Sequence, residues 1–330
     1  MTLSVDASQA VKIDWFADTL SELASRAQRQ RLHHGLLFIG QRGIGKQVSA
    51  HEMAGRLLCK QVRSDNTACG ACQSCDLMQA GSHPDFYWLT TDKTQIGVDL
   101  IRSAIQSLSS KAQLSHNKVL IIPDAHLLSD AAANALLKTL EEPTPSTFII
   151  LVTHQHNRLL PTILSRCEKV IFNTPTTAES LDWLAKVRQD DAMSLPQDLL
   201  IDERSLAAYG GAPLLLLDSA EAQNAITFTR FIDTLKSIES GQSAEVDLLD
   251  VSTRWQNDAE QVIIWLQRYC HQQARQQSRD SLATDTDTDY WQLYTQTTQA
   301  AQKVRHAGTN KSMLLFELFN TFREATHYVR

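Results

Sequence analysis

Residues 35–59 constrain the fold more than any other stretch. Gly35-Leu-Leu-Phe-Ile-Gly40 is a short apolar run that stops at glycine, Gly40-Gln-Arg-Gly-Ile-Gly-Lys46-Gln47 is glycine-rich, and Gln47 to Cys59 has helical character. An apolar run of this length feeding a glycine turn and then a helix reads as a buried strand followed by a tight loop. At such a helix start the backbone N–H groups point outward together, the context in which a G-x-x-x-x-G-K-[ST] loop cradles phosphate. Gly40, Gly43, Gly45 and Lys46 are therefore the candidate nucleotide-binding residues, with Lys46 reaching the outer phosphates.

The same alternation returns downstream. An amphipathic helix is expected over Trp15 to Arg31, with Phe16, Leu20, Leu23 and Ala24 at helical spacing. Val98 to Leu108 reads as a helix, Lys118 to Ile122 as a buried strand, and Ser129 to Glu142 as a long helix ended by Pro143. Thr147 to Thr153 is another apolar, β-branched strand. Fully apolar strands alternating with helices predict a parallel sheet covered on both faces. After Asn173-Thr-Pro175 the strand signals end: Thr177 to Gln189 and Asp202 to Tyr209 read as short helices, and Gln256 to Gln273 and Lys311 to Val329 as amphipathic ones. Ser278 to Asp289, polar and acid-rich, reads as a surface loop, and no internal repeat is visible. A length of 330 residues exceeds one ordinary core, so two or three domains are expected.

The phosphate loop departs from a working ATPase in two places. Position 47, where a Ser or Thr hydroxyl would bind magnesium, is Gln47. The strand ending at Ile122 is followed by Pro123-Asp124-Ala-His126, so Asp124 stands alone where two successive acids are expected. Phosphoryl transfer relies on the metal to neutralise developing charge, so hydrolysis should be very slow. The loop by itself leaves two readings open, a cradle that holds nucleotide and a glycine turn that holds nothing.

Four of the six cysteines, Cys59, Cys69, Cys72 and Cys75, are spaced C-x9-C-x2-C-x2-C. Short C-x2-C turns bring thiolates within reach of one tetrahedral ion, and a site of four thiolates is closed, hence structural zinc. Free thiols or a redox pair are the competing reading. Met1 to Asp14 lacks a basic start and an apolar core, and no stretch approaches a membrane-spanning run, so a reducing cytosol is the expected compartment. Hydrophobic residues at 43% and charged residues at 21% describe a globular chain rather than a disordered one. A net charge of −6 argues against a surface devoted to gripping DNA phosphates. Lys60 and Arg63 are offset by Asp65 and Asp76, so the cysteine segment is not basic either.

Two runs carry a family likeness. Ala131-Ala-Ala-Asn134-Ala-Leu-Leu-Lys138-Thr-Leu-Glu141-Glu142-Pro143 and Leu160-Pro-Thr-Ile-Leu-Ser165-Arg166-Cys167 resemble bacterial clamp-loader subunits of the AAA+ class. Asp76-Leu-Met-Gln-Ala-Gly81, His83-Pro-Asp85, the inserted cysteines and the eroded loop resemble the delta-prime branch of the DNA polymerase III clamp loaders. The close likeness covers roughly residues 30–172, and the remainder matches in layout. It implies an α/β AAA+ domain over residues 1–172 with the zinc segment 59–75 inserted, a small helical lid over 173–213, and an all-α collar over 214–330 that packs subunits into a ring.

The resemblance implies a subunit that is not itself a motor. Its implied partners are ATP-binding motor subunits of the gamma/tau type and a delta subunit in a hetero-pentamer, with the sliding clamp and primer-template DNA reached through the complex. Carried over by position, Arg166 of Ser165-Arg166-Cys167 is the finger donated to a neighbour's ATP site. Read from the residues alone, an arginine at that place would bind the last carbonyls of a helix or solvent. Two departures from the family pattern stand out: the first cysteine gap is one residue longer, and Gly210-Gly-Ala-Pro213 has proline where motor relatives carry a nucleotide-touching arginine. Retained Lys46 keeps binding of ATP or ADP open. The alternatives are an active motor, which needs Ser or Thr at 47 and acids at 123 and 124, and a zinc-bearing DNA-binding module, which needs a basic, aromatic segment. Glu141 and Glu142 point apart on a helix and read as a solvated or interface surface. His33 and His34 show no metal spacing, and Cys270 reads as core.

Overall fold

The structure, a computed structural model, describes residues 12–91, 93–114, 116–189, 199–221, 226–240, 247–279, 289–304, 306 and 308–327. These fall into two compact units, one drawn from Met1–Met193 with Gly211–Leu215 and one from Ser194–Gly210 with Leu216–Arg330.

The first unit is built on five parallel strands, β1 (Gly35–Ile39), β2 (Phe86–Trp88), β3 (Lys118–Ile122), β4 (Thr147–Thr153) and β5 (Glu168–Ile171), in the order β2-β3-β4-β1-β5. The three inner strands read as unbroken apolar runs because both their faces are covered. Leu36, Leu37, Phe38, Val119, Leu120, Ile149 and Ile150 are all at 0% exposure. Leu37, Ile39, Leu120, Ile122, Ile149 and Leu151 meet α4 (Val98–Ser109) and α5 (Asp130–Glu141) through Ile101, Leu108, Ala132, Leu136 and Leu140. Strand alternation turns Leu36, Phe38, Val119, Ile121 and Ile150 to the opposite face, where α2 (Lys46–Leu58) packs.

Helix boundaries follow local chemistry. Ser129 caps α5 by accepting from the Ala132 N–H at 3.3 Å, and Pro143 follows its end. The first helix, α1 (Ala17–Gln28), buries Leu20, Leu23 and Ala24. Phe16 lies edge-on to Phe172 with centroids 4.6 Å apart, and Phe172 meets Phe38 of β1 at 4.7 Å. At the other end of α1, Arg26 donates two hydrogen bonds of 2.6 Å to Glu168 of β5.

β2 and β5 are the strands that sequence reading missed. β2 has three residues, and β5 (Glu-Lys-Val-Ile) carries two charges. Both lie at sheet edges, where one neighbour suffices and an apolar run is not required. Ile171 at 59% exposure shows the same thing. The expected strands at 35–40, 118–122 and 147–153 are present within a residue of their expected ends.

Short segments α3 (Gln73–Gln79) and α6 (Pro161–Leu164) complete this unit together with α7 (Thr177–Gln189). The second unit is helical: α8 (Glu203–Ala208), α10 (Phe228–Glu239), α11 (Leu248–Arg254), α12 (Ala259–Arg279), α13 (Tyr290–Lys303) and α14 (Lys311–His327), with α9 (Pro213–Glu221) beginning in the first unit. Its core forms around Trp265, 1% exposed, whose ring meets Tyr209, Phe228 and Phe231 at centroid distances of 5.3–5.5 Å. The Trp265 indole and Arg268 both donate to the Ala208 carbonyl, at 3.1 and 2.6 Å, satisfying a carbonyl at the end of α8. Cys270 is fully buried, as core. Of the expected surface loop 278–289, Ser278 and Arg279 extend α12, Asp289 caps α13, and 280–288 lie outside the described residues. No helix among the described residues is long and apolar enough to cross a membrane.

Candidate functional site

Gly40, Gly43, Gly45 and Lys46 come together in the loop between β1 and α2. Gly43 and Gly45 sit at φ +75° and +97°, the left-handed region that glycine tolerates without cost. A side chain at either would also collide: a Cβ on Gly43 would stand 2.2 Å from Leu215 Cγ, and one on Gly45 the same distance from Ile13 Cδ1. The indole of Trp15 donates to the Ile44 carbonyl at 3.0 Å. The loop is thus a packed structure, held from the apolar side by Ile13, Trp15 and Leu215.

Lys46 is 6% exposed and its ammonium donates to the Gln41 carbonyl within the loop. Burial lowers its pKa to about 8, against the pull of Asp124. Gln47, at the position of the magnesium hydroxyl, donates through Nε2 to the Pro123 carbonyl at 3.4 Å. The side chain that should ligate the metal instead ties the loop to the end of β3.

Two histidines stand at the same strand ends, and sequence reading paired neither with the loop. His126 of the short turn Ala125–Leu127 after β3 and His154 after β4 meet edge-to-face with centroids 4.2 Å apart. One ligand atom from each of Asp124, His126 and His154 lies within 4.8 Å of the others. Burial lowers the pKa of both imidazoles, His154 to about 4. The signal available was their position: each follows directly on an inner strand.

The cysteines form a second centre in the same unit. Cys59 closes α2 and Cys72 is the N-cap of α3, with Cys75 in that helix's first turn. Cys75 Sγ lies 3.7, 3.8 and 3.6 Å from the sulfurs of Cys59, Cys69 and Cys72. Zn–S bonds of about 2.3 Å in a tetrahedron put sulfurs about 3.8 Å apart, so the donor set fits one such ion. Backbone N–H groups of Gln61 and Cys69 point at Cys59 Sγ at 3.4 and 3.3 Å, as they do toward thiolates. Burial pushes Cys75 up to about 12, while at Cys72 the N–H groups of Lys60 and Cys75 overcome burial and lower it to about 6. Four sulfurs at this spacing are a donor set suited to one cation, whose charge would favour their thiolate forms. Ser74 and His83 brace the centre: Ser74 Oγ donates to the Leu58 carbonyl at 2.7 Å and lies 2.8 Å from His83 Nε2.

Arg166 follows α6. Its Nε donates to Glu141 Oε1 at 2.6 Å, and its Nη1 to the Thr162 carbonyl at 3.1 Å and to Ser165 Oγ at 3.3 Å. It therefore binds the last turn of α6 as a residue-by-residue reading expects, and it is paired as well. Ser165 Oγ donates to the Thr162 carbonyl at 3.1 Å. Glu141, read as part of a solvated or interface surface, is half exposed and is also the partner of that guanidinium, while about a third of the Arg166 side chain stays open to solvent. His33 and His34 stack at 4.4 Å and bond to the backbone of Gly35 and Leu140, with no metal arrangement.

A parallel five-stranded sheet with a glycine loop between its first strand and helix, followed by a helical region, is the AAA+ type of P-loop fold. Residues 16–176 match the family described as DNA polymerase III, delta subunit. The chain is 40% identical over 202 residues to the DNA polymerase III subunit delta' of Pseudomonas aeruginosa, covering 61% of this chain and 58% of that protein. It is 38% identical over 205 residues to its Escherichia coli counterpart, covering 61% and 60%. The matched part thus spans about three fifths of those relatives' length. A DNA polymerase III, gamma subunit-related protein from Thermotoga maritima shares the fold, at a TM-score of 0.52 and 20% identity over 94% of this chain and 99% of that one.

Proposed function

We propose that this chain is a non-hydrolysing subunit of a DNA polymerase III clamp loader, which completes a neighbouring subunit's ATP site with Arg166. The observation that carries this reading is the state of the chain's own loop. It keeps the glycines and Lys46, but Gln47 is engaged with the Pro123 carbonyl and Asp124 is the single acid at the strand end. A site without its magnesium ligands does not stabilise phosphoryl transfer, whereas an arginine supplied from outside does so at another subunit's site. Arg166 suits that role because it lies at the surface of its unit, preoriented by Glu141 and the Thr162 carbonyl. Ser165 caps the short helix that positions it.

On this reading the helices of residues 173–213 are a lid and those of 214–330 a collar that joins ATP-binding motor subunits and a delta subunit in a ring. The sliding clamp and primed DNA are then reached through the complex, in the cytosol. Structural zinc at Cys59, Cys69, Cys72 and Cys75 is supported by the sulfur spacing. A second reading, nucleotide held without turnover, is favoured by Lys46 and the left-handed glycines.

The test is the DNA- and clamp-stimulated ATPase rate of the reconstituted loader with wild-type chain, Arg166→Ala and Arg166→Lys. Loss of rate in both variants with assembly intact supports the finger, since lysine cannot reproduce the planar fork. A rate equal to wild type in Arg166→Ala refutes it. ADP binding to the isolated chain, lost in Lys46→Ala, tests the second reading.

A further inference from the structure

The eroded phosphate site contains a group of side chains that phosphate chemistry does not use. We propose that Asp124, His126 and His154 form a binding site for a borderline transition-metal ion of the zinc, cobalt or nickel kind. The inference does not depend on the clamp-loader role, and the site is separate from the cysteine centre.

The geometry arises from the sheet. β3 and β4 are parallel neighbours, with Ile122 opposite Leu151, so the residues that follow them emerge at the same edge. After β3, the turn Ala125–Leu127 carries His126 inward to 7% exposure, and His154 comes directly after Thr153. The two rings meet at 4.2 Å and Asp124 adds a carboxylate, with one donor atom from each within 4.8 Å of the rest. Donors on an ion with bonds of about 2.0–2.2 Å stand roughly 3–4 Å apart, so a small rotation of the half-buried His154 or Asp124 closes the set.

A second observation points to a ligand. His126 is more than nine-tenths buried, yet its Nδ1 has no hydrogen-bond partner among the described residues. Buried polar atoms are overwhelmingly paired, and leaving one unpaired is costly. A metal ion at the centre of the three donors would provide that partner.

The donor set selects the ion. Magnesium asks for an octahedron of oxygens and keeps its waters, and two imidazoles do not supply one. Two imidazoles and a carboxylate are a ligand set of open zinc sites, with a further position left for water or an anionic oxygen. Arg42, Lys46 and Arg158 act electrostatically on this pair of histidines and oppose a cation, so binding is weaker than at four thiolates. The same charges favour an anionic oxygen at the open position.

The test is a cobalt(II) titration of the full, tag-free chain, followed by absorption and by metal analysis after dialysis, with magnesium in excess. His154→Ala and Asp124→Asn are the informative variants, because neither removes the buried ring. Each should lose one cobalt equivalent and a weak visible absorption, while any thiolate-to-cobalt band from the cysteine centre is unchanged. Equal equivalents and identical spectra in wild type and both variants would overturn the proposal.

Discussion

Asp85 offers the sharpest test of how the first unit is held together. It is 1% exposed, and its two carboxylate oxygens accept from the Gln113 and Leu114 backbone N–H groups at 2.6 and 2.9 Å. Those amides belong to the connection between α4 and β3, so a single side chain ties that connection to the entry of β2. A hydrogen bond to a charged group contributes about 1.5–3 kcal/mol. Gln113 is exposed enough for water to replace part of its bond. Asp85→Ala should therefore cost about 3 kcal/mol, less than twice the upper value, and a factor of roughly a hundred in the local opening equilibrium. The assay is amide hydrogen exchange across residues 110–122, where protection at Gln113, Leu114 and β3 should fall together. Asp85→Asn, which keeps a neutral acceptor, should fall between the two. If Asp85→Ala left protection unchanged within about threefold, the carboxylate would not be the tie argued here.

Cys75→Ser should remove one zinc equivalent by metal analysis, and loosen α3 as seen by exchange over residues 59–80, because three sulfurs no longer close the tetrahedron. Gly43→Ala should lower thermal stability by about 1–3 kcal/mol from its left-handed φ, beyond which Leu215 must also move. Glu168→Gln tests the α1–β5 tie. Hydrogen bonds from Arg26 hold the Glu168 carboxyl below its ordinary value, so its contribution is full above the unfolded pKa and is lost as pH falls through the folded one. At neutral pH the variant should cost about 1 kcal/mol in denaturant unfolding, and in acid nothing; a pH-independent cost would refute the assignment.

The parts of this protein that the amino-acid sequence determined by itself are those set by near neighbours in the chain. Gly43 and Gly45 impose the loop because no other residue adopts their backbone conformation freely, and the C-x2-C turn places Cys72 and Cys75 within one helical turn. The inner strands were legible as unbroken apolar runs because both faces are buried. β2 and β5 were not, since an edge strand needs neither length nor an apolar run. Tertiary structure alone decided which distant residues meet. His126 and His154 stand 28 positions apart in sequence, and only the parallel pairing of β3 with β4 brings them to one edge. Arg166 finds Glu141 across 25 positions, and Asp85 finds the Gln113 amide across 28. Such contacts depend on strand register and helix packing, which side-chain periodicity specifies only as faces and not as partners.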